Sequence, residues 1–144
     1  MKIIQVLSAV MIVACPGSSM AQQVQNYRAG LSPTPISAAG SVVGKGVVTA
    51  QLTGRRLTVA GTFTGFGSAA TRADVHMSPI LGVPGPVVFP LTVTKGAAGT
   101  VSGSAELSPA QVNALASNKL YIEIDSESAP DGNSRGWLFM EVGR

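Results

Sequence analysis

The stretch that decides the fold is Lys119-Leu-Tyr-Ile-Glu-Ile-Asp-Ser126, followed closely by Ala129-Pro-Asp-Gly-Asn-Ser-Arg-Gly136. In the first piece, apolar and polar side chains alternate along the chain, which is the pattern of a β-strand with one buried face. The second piece predicts a loop built on Pro130 and Gly132, followed by a strand that starts at Arg135. This end of the chain therefore predicts β-structure.

Five further segments of the same kind precede this stretch, separated by glycine and proline. They cover residues 47–53, 57–63, 71–77, 87–93 and 100–107, and a last strand is predicted over 135–142. Residues 80–86 hold several Gly and Pro residues and are predicted to form a loop. The spacing predicts an all-β fold, an antiparallel Greek-key-like β-sandwich or flattened barrel. Seven inward side chains are expected to be buried: Leu57, Val59, Phe63, Val75, Ile122, Ile124 and Leu138.

One short helix is predicted over residues 109–117, lying over one end of the sheets. Ser108 is a good N-cap, Pro109 suits the first helical position, and Gln111 completes a capping box. Asn118 can adopt the left-handed conformation that ends a helix. Because so short a helix is unstable alone, it needs the sheets beneath it.

The amino terminus has the pattern of an export signal. Met1-Lys2 is a positive start, the apolar run that follows is too short to span a bilayer, and small residues before Gln22 predict cleavage after Ala21. In the alternative interpretation, Ile12-Val13-Ala14-Cys15 is a lipobox and Cys15 carries a lipid anchor. The predicted location is periplasmic or secreted, or lipid-anchored through Cys15 in the alternative.

Three segments are predicted: a signal peptide over 1–21, a flexible linker over 22–41 that leads into the domain, and one domain over 42–144. The only cysteine lies in the leader, so the domain depends on its hydrophobic core. The net charge of +3 is scattered and aromatic residues make up 5% of the chain, which argues against nucleic acid as a partner. No membrane span is expected after the leader is removed.

Seven pieces, in order, resemble the pattern of the chordin-type domain, CHRD. They are Leu57-Thr-Val-Ala-Gly-Thr-Phe63, Ala73-Asp-Val-His76, Gly85-Pro-Val-Val-Phe-Pro-Leu91, Val101-Ser-Gly103, Leu107-Ser-Pro-Ala-Gln-Val-Asn-Ala-Leu115, Tyr121-Ile-Glu-Ile-Asp-Ser126 and Pro130-Asp-Gly-Asn-Ser-Arg-Gly136. The resemblance implies a β-sandwich similar to superoxide dismutase or immunoglobulin domains, and an extracytoplasmic setting. It implies a module without catalytic activity, although a fold alone does not define a function.

The sequence departs from the family pattern where chemistry would occur. His76 is the only histidine, while Asp74 and Asp125 stand where the pattern has histidines. Alternation places Asp74 and His76 on one face of their strand, and Glu123 and Asp125 on one face of another. With Arg135 from the last strand, these residues form the candidate ligand or metal cluster.

Two interpretations of this cluster remain open. In the first, Asp74, His76 and Asp125 bind a divalent cation weakly, because an imidazole with two carboxylates suits such an ion. In the second, which we favour, Arg135 pairs with Asp125 or Glu123, and His76 bonds to Asp74 or to a backbone carbonyl. One histidine cannot supply a dismutase copper site.

No catalytic residues are predicted. The single histidine has no Gly-x-Ser-x-Gly elbow to serve, and a glycosidase pair at Glu123 and Asp125 would need a larger, more aromatic cleft. We therefore predict an exported, non-catalytic binding or structural module with an unknown extracytoplasmic partner and no cofactor. The alternative is a periplasmic divalent-metal-binding protein.

Overall fold

The computed structural model describes residues 17, 21–34 and 43–143. Cys15 and nearly all of the predicted leader lie outside the described residues, so the signal peptide and the lipobox stay predictions. No helix in the described part of the chain is long and apolar enough to cross a membrane.

The described residues form nine strands and one helix. In chain order these are β1 (Val24–Pro33), β2 (Lys45–Thr53), β3 (Arg56–Thr64), β4 (Ala70–Met77), β5 (Val87–Val93), β6 (Gly99–Glu106), α1 (Pro109–Ala116), β7 (Leu120–Ser126), β8 (Ala129–Trp137) and β9 (Phe139–Met140).

Eight of the strands close into an antiparallel barrel. Their order around it is β1, β2, β3, β6, β5, β4, β7 and β8, and β8 returns to β1 through Ser32 and Pro33. The short β9 continues beyond β8 and pairs with β1 at Tyr27 and Arg28. The predicted all-β antiparallel class is confirmed, and each of the eight strands pairs with a neighbour on both sides, with the β5–β6 pairing limited to Thr92 and Val93 opposite Ser102 and Val101.

The inward faces of the strands form one continuous apolar core. All seven side chains that the sequence predicted to be buried are at most 2% exposed. The polar residues between them point away from this core, as the alternation requires. The inward faces of the predicted strands are therefore confirmed.

The predicted helix and both of its ends are confirmed. The Ser108 hydroxyl accepts a hydrogen bond from the Gln111 backbone N–H at 3.2 Å, and the Gln111 side chain accepts one from the Ser108 N–H at 2.8 Å. Asn118 has a φ of 57° beyond the last turn. The capping box and the left-handed residue thus set the bounds of the helix.

The predicted flexible linker over 22–41 is wrong for the residues of β1. Tyr27, Ala29 and Leu31 point into the core and are at most 3% exposed. β1 has a place in the barrel because it pairs with β2 along one edge and with β8 along the other. Its period-two pattern was present in the sequence, but the prolines near its end indicated a linker.

The loop predicted over 129–134 is also wrong. A two-residue turn at Glu127 and Ser128 joins β7 directly to β8, with Ser126 opposite Ala129. The β7–β8 register shifts between Ile124 and Ser126, because residues 130–133 of β8 stand where β7 has only Asp125. Pro130 and Gly132, two residues that usually interrupt strands, lie in this irregular part of the ladder.

Leu138 and Phe139 are consecutive residues at the end of the barrel whose side chains lie on opposite faces of the chain, one in the core and one at the surface. Leu138 is fully buried, whereas Phe139 is 47% exposed. We expect Leu138→Ala to lower the free energy of unfolding by about 2–5 kcal/mol, because the core loses contacts and gains a cavity. Phe139→Ala should change it by only about 0.5 kcal/mol or less. Urea unfolding of both variants measures the difference, and equal losses would contradict the assigned faces.

Candidate functional site

The predicted cluster lies on the outward face of β4, β7 and β8. Asp74, Glu123 and Arg135 are direct neighbours across the three strands. Asp125 stands opposite Arg72, on the next outward row. On the other side, His76, Tyr121 and Trp137 form a third row. The pairing of β4, β7 and β8 thus brings the candidate residues onto neighbouring strands, together with Arg72, which the sequence did not single out.

Glu123 and Arg135 form a buried ion pair. The Arg135 Nε donates to Glu123 Oε2 at 2.6 Å, and Nη2 also contacts that oxygen. The two side chains are only 13% and 11% exposed. Of the two partners predicted for Arg135, the structure selects Glu123. A carboxylate held this way has its charge balanced inside the protein.

Asp74 is paired with Arg72 along the same strand. The Arg72 Nε lies 2.5 Å from Asp74 Oδ2, and the Asp74 side chain is 5% exposed. Arg72 itself is largely exposed to solvent. The two most buried carboxylates of the cluster are thus each matched by a guanidinium group.

His76 belongs to an aromatic row and contacts a backbone carbonyl. Its Nδ1 lies 2.9 Å from the Gly85 carbonyl oxygen. Its ring stacks on Tyr121 with centroids 4.9 Å apart and an interplanar angle of 11°. Tyr121 in turn contacts Trp137 at 4.6 Å, and the Arg135 guanidinium lies 5.2 Å from the Tyr121 ring. Of the two contacts predicted for His76, the structure selects the backbone carbonyl.

The three residues of the metal interpretation are not gathered around one point. Over residues 21–34 and 43–143, no three His, Cys, Asp or Glu side chains lie close enough to hold a metal ion. Each side chain has another partner instead: Asp74 is paired with Arg72, and His76 contacts the Gly85 carbonyl oxygen. The expectation that Asp74, His76 and Asp125 approach one another as a ligand set is therefore not met in the described part of the chain.

Asp125 is the carboxyl group of the cluster whose acidity is most altered. Burial raises its pKa from the ordinary 3.8 to about 7, and repulsion from Glu123 adds to the increase. Asp74 and Asp131 act in the same direction, whereas Arg72 opposes it. A group of this kind changes its charge near neutral pH.

A loop that the sequence left without a function covers the aromatic row. Residues 78–86 connect β4 to β5, and the Gly85 N–H donates to the Tyr121 hydroxyl at 2.9 Å. A Cβ atom at Gly85 would lie only 1.9 Å from the Met77 carbonyl oxygen, so only glycine allows the chain to approach this closely. The base of the loop is therefore fixed to the barrel.

The tip of this loop is a tight apolar turn formed by residues 80–83. The Val83 N–H donates to the Ile80 carbonyl at 3.0 Å, and Gly82 has a φ of 92°. Ile80, Leu81 and Val83 are 65%, 49% and 45% exposed. Turns usually carry polar residues at such positions, so three exposed apolar side chains in one turn are unusual.

A groove of about 300 Å³ lies beside the apolar turn. Its walls combine Gly82 from the loop with Arg135, Trp137 and Phe139 from the end of β8 and the start of β9, and with the outward end of β1. Phe139 is half-exposed there. The apolar turn and the groove thus form one continuous surface on the molecule.

Comparison with known proteins gives one match. The family model described as the CHRD domain matches residues 20–138, which include β1 to β8. No curated protein and no solved structure shows significant similarity to the chain. The matched range begins before β1, in agreement with the structural role of that strand.

Breaking the Glu123–Arg135 pair should cost far more than breaking a surface pair. Arg135→Met leaves a buried carboxylate without its partner, so we expect the free energy of unfolding to fall by about 3–5 kcal/mol. Arg55 and Glu106 form the matched control, since their side chains are 52% and 62% exposed. Arg55→Met should cost about 1 kcal/mol or less. Chemical denaturation of both variants at neutral pH makes the comparison, and similar losses would refute the role of burial.

The raised pKa of Asp125 should make stability depend on pH. A folded-state pKa above the unfolded value means that the folded protein holds this proton more tightly. The resulting stabilisation is complete below about 3.8 and is lost as the pH rises through about 7. As the pH rises from about 5 to about 8, the wild type should lose this stabilisation. Asp125→Asn has no carboxyl group to ionise at this position, so its stability should rise relative to that of the wild type. Thermal unfolding of both proteins measures this, and parallel pH profiles would contradict it.

Proposed function

The chain belongs to the CHRD domain family, and from this membership together with its apolar turn we propose that it is an exported, non-catalytic binding module. Its contact surface in this proposal consists of residues 80–83 and the adjoining groove. The proposed location is periplasmic or secreted, which rests on the pattern of the leader. No cofactor is part of the proposal.

Family membership supports the non-catalytic character. The CHRD domain match over residues 20–138 suggests a binding module rather than an enzyme. The contacts of the polar cluster agree with this, because Glu123 is engaged by Arg135 and Asp74 by Arg72. Carboxylates held by guanidinium groups are poorly placed to act as general bases.

The observation that carries the proposal is the concentration of exposed apolar side chains. Among the described residues, seven of the ten exposed large hydrophobic side chains lie within residues 80–87 and 139–142. Gly82 and Phe139 line the same groove, so the two segments are adjacent. Apolar patches of this kind on a folded domain mark sites of interaction.

Retention on the cell envelope tests the proposal. The exported protein, purified as the cell processes it, is mixed with washed cell envelopes of the source organism, and the bound fraction is measured. We expect the double variant Ile80→Ser/Leu81→Ser to bind at least about tenfold more weakly, since two apolar contacts are lost. Circular dichroism confirms that the variant is folded.

Val24→Ser provides the matched control. Val24 is an apolar side chain that is 49% exposed at the start of β1, at the opposite end of that strand from the residues that line the groove. Its substitution should leave retention unchanged. Equal retention of the wild type and the double variant would show that this surface is not the contact site.

A further inference from the structure

We propose that the apolar turn inserts into the interfacial region of an anionic lipid leaflet and that the groove beside it lies at the membrane surface. This inference rests on the proposed function, because it names the partner class of the same surface. Four features of the loop support it: its composition, its backbone hydrogen bonding, its rigidity and the charges around it.

The composition of the loop matches a lipid environment. From Pro79 to Leu91, thirteen consecutive residues carry no polar side chain. Interfaces between proteins usually combine an apolar centre with a polar rim and several hydrogen bonds. The segment itself adds no polar side chain to such a rim; the polar side chains beside it are those of the groove, Ser32, Thr34 and Arg135, and Arg135 is engaged by Glu123. Acyl chains require no polar rim.

The backbone of the loop is largely satisfied by the protein itself. Three of the nine residues in 78–86 are prolines without an N–H group. Of the six remaining N–H groups, four donate to protein acceptors, those of Ser78, Ile80, Val83 and Gly85. The Ser78 hydroxyl also lies within bonding distance of the Ile80 and Val83 carbonyls. Such pairing matters because an unpaired backbone group is costly away from water.

The loop is also held in place before any contact is made. Gly85 joins it to Tyr121 and His76, and the Ser78 N–H donates to the Lys119 carbonyl at 2.8 Å. Little conformational freedom is therefore lost when the tip is buried, which favours binding. The turn presents Ile80, Leu81 and Val83 together, as a shallow interfacial insertion requires.

Charges around the apolar surface favour an anionic leaflet modestly. No charged residue occurs from Met77 to Thr94. Lys119 adjoins the base of the loop, and Arg28 stands opposite Phe139 in the β1–β9 pairing. Glu141 next to Met140 offsets one of these positive charges. Apolar contact should therefore supply most of the binding energy, with a smaller contribution from anionic lipid.

Binding to vesicles tests the inference with an intrinsic probe. Trp137 is the only tryptophan and lines the groove next to Gly82. The exported protein, shown by intact mass to carry no lipid, is mixed with vesicles of equal parts phosphatidylglycerol and phosphatidylcholine. We expect co-sedimentation, a blue shift of Trp137 emission and quenching by brominated lipid. Vesicles of pure phosphatidylcholine should bind the protein several-fold more weakly, because they lack the anionic lipid that attracts about one net positive charge beside the turn.

Two variants distinguish insertion of the apolar turn from nonspecific attraction of the protein to the vesicle surface. Leu81→Ser should weaken partition into the mixed vesicles about tenfold, because a half-exposed leucine no longer enters the interface. Val24→Ser, at the far end of β1 from the groove, should bind like the wild type. No wild-type co-sedimentation, or equal binding of Leu81→Ser, would overturn the inference, as would self-association that buries the turn in solution.

The two proposals fail differently. If envelope retention depends on Ile80 and Leu81 while lipid vesicles bind nothing, the binding surface stands and its partner is a protein or another polymer. If envelope retention does not depend on the turn, the proposed surface is wrong as well. Vesicle binding that is lost in Leu81→Ser supports the lipid partner directly.

Discussion

The charge of Glu123 is the constraint on which the outward face depends. β7 is buried along nearly its whole length on both faces, so a carboxylate on it needs a partner inside the protein. Arg135 supplies that partner only because β8 pairs with β7 in the observed register. The same register places Trp137 against Tyr121 and opens the groove beside the loop. A shift by one residue would separate the pair and reverse both faces.

The polar cluster carries carboxylates where the resemblance to the CHRD pattern implies histidines, at Asp74 and Asp125. Asp74 is paired with Arg72, and the neighbouring Glu123 is paired with Arg135. A neutral imidazole can bind a metal and be buried without a counter-ion, whereas an ionised carboxylate cannot be buried unpaired. Burial, followed by repulsion from Glu123, raises the pKa of Asp125, so this carboxyl group holds its proton more tightly even though Arg72 opposes the shift. We therefore expect substitutions in the cluster to act mainly on stability.

The apolar turn combines a rigid base with an exposed tip. Its base is fixed by the close approach of Gly85 to Met77 and by the Tyr121 hydroxyl. The stacked row beneath, from His76 to Trp137, connects it to the ion pair through Arg135. Substitutions in the buried cluster should thus be felt at the apolar turn through packing.

Local patterns determined much of this protein from the sequence alone. The alternation around Val59 and Ile122 predicted inward faces, and Ser108 with Gln111 predicted the helix start, because both signals depend only on residues close in the chain. Tertiary structure decided the rest. In sequence β1 resembles a linker, and only its pairing with β2 and β8 makes it a strand of the barrel. Arg135 had two candidate partners, and the β7–β8 register selects Glu123. Residues 78–86 were predicted only to be a loop, and the fold places that loop over Tyr121. These outcomes depend on contacts between residues far apart in the chain, which a local pattern does not encode.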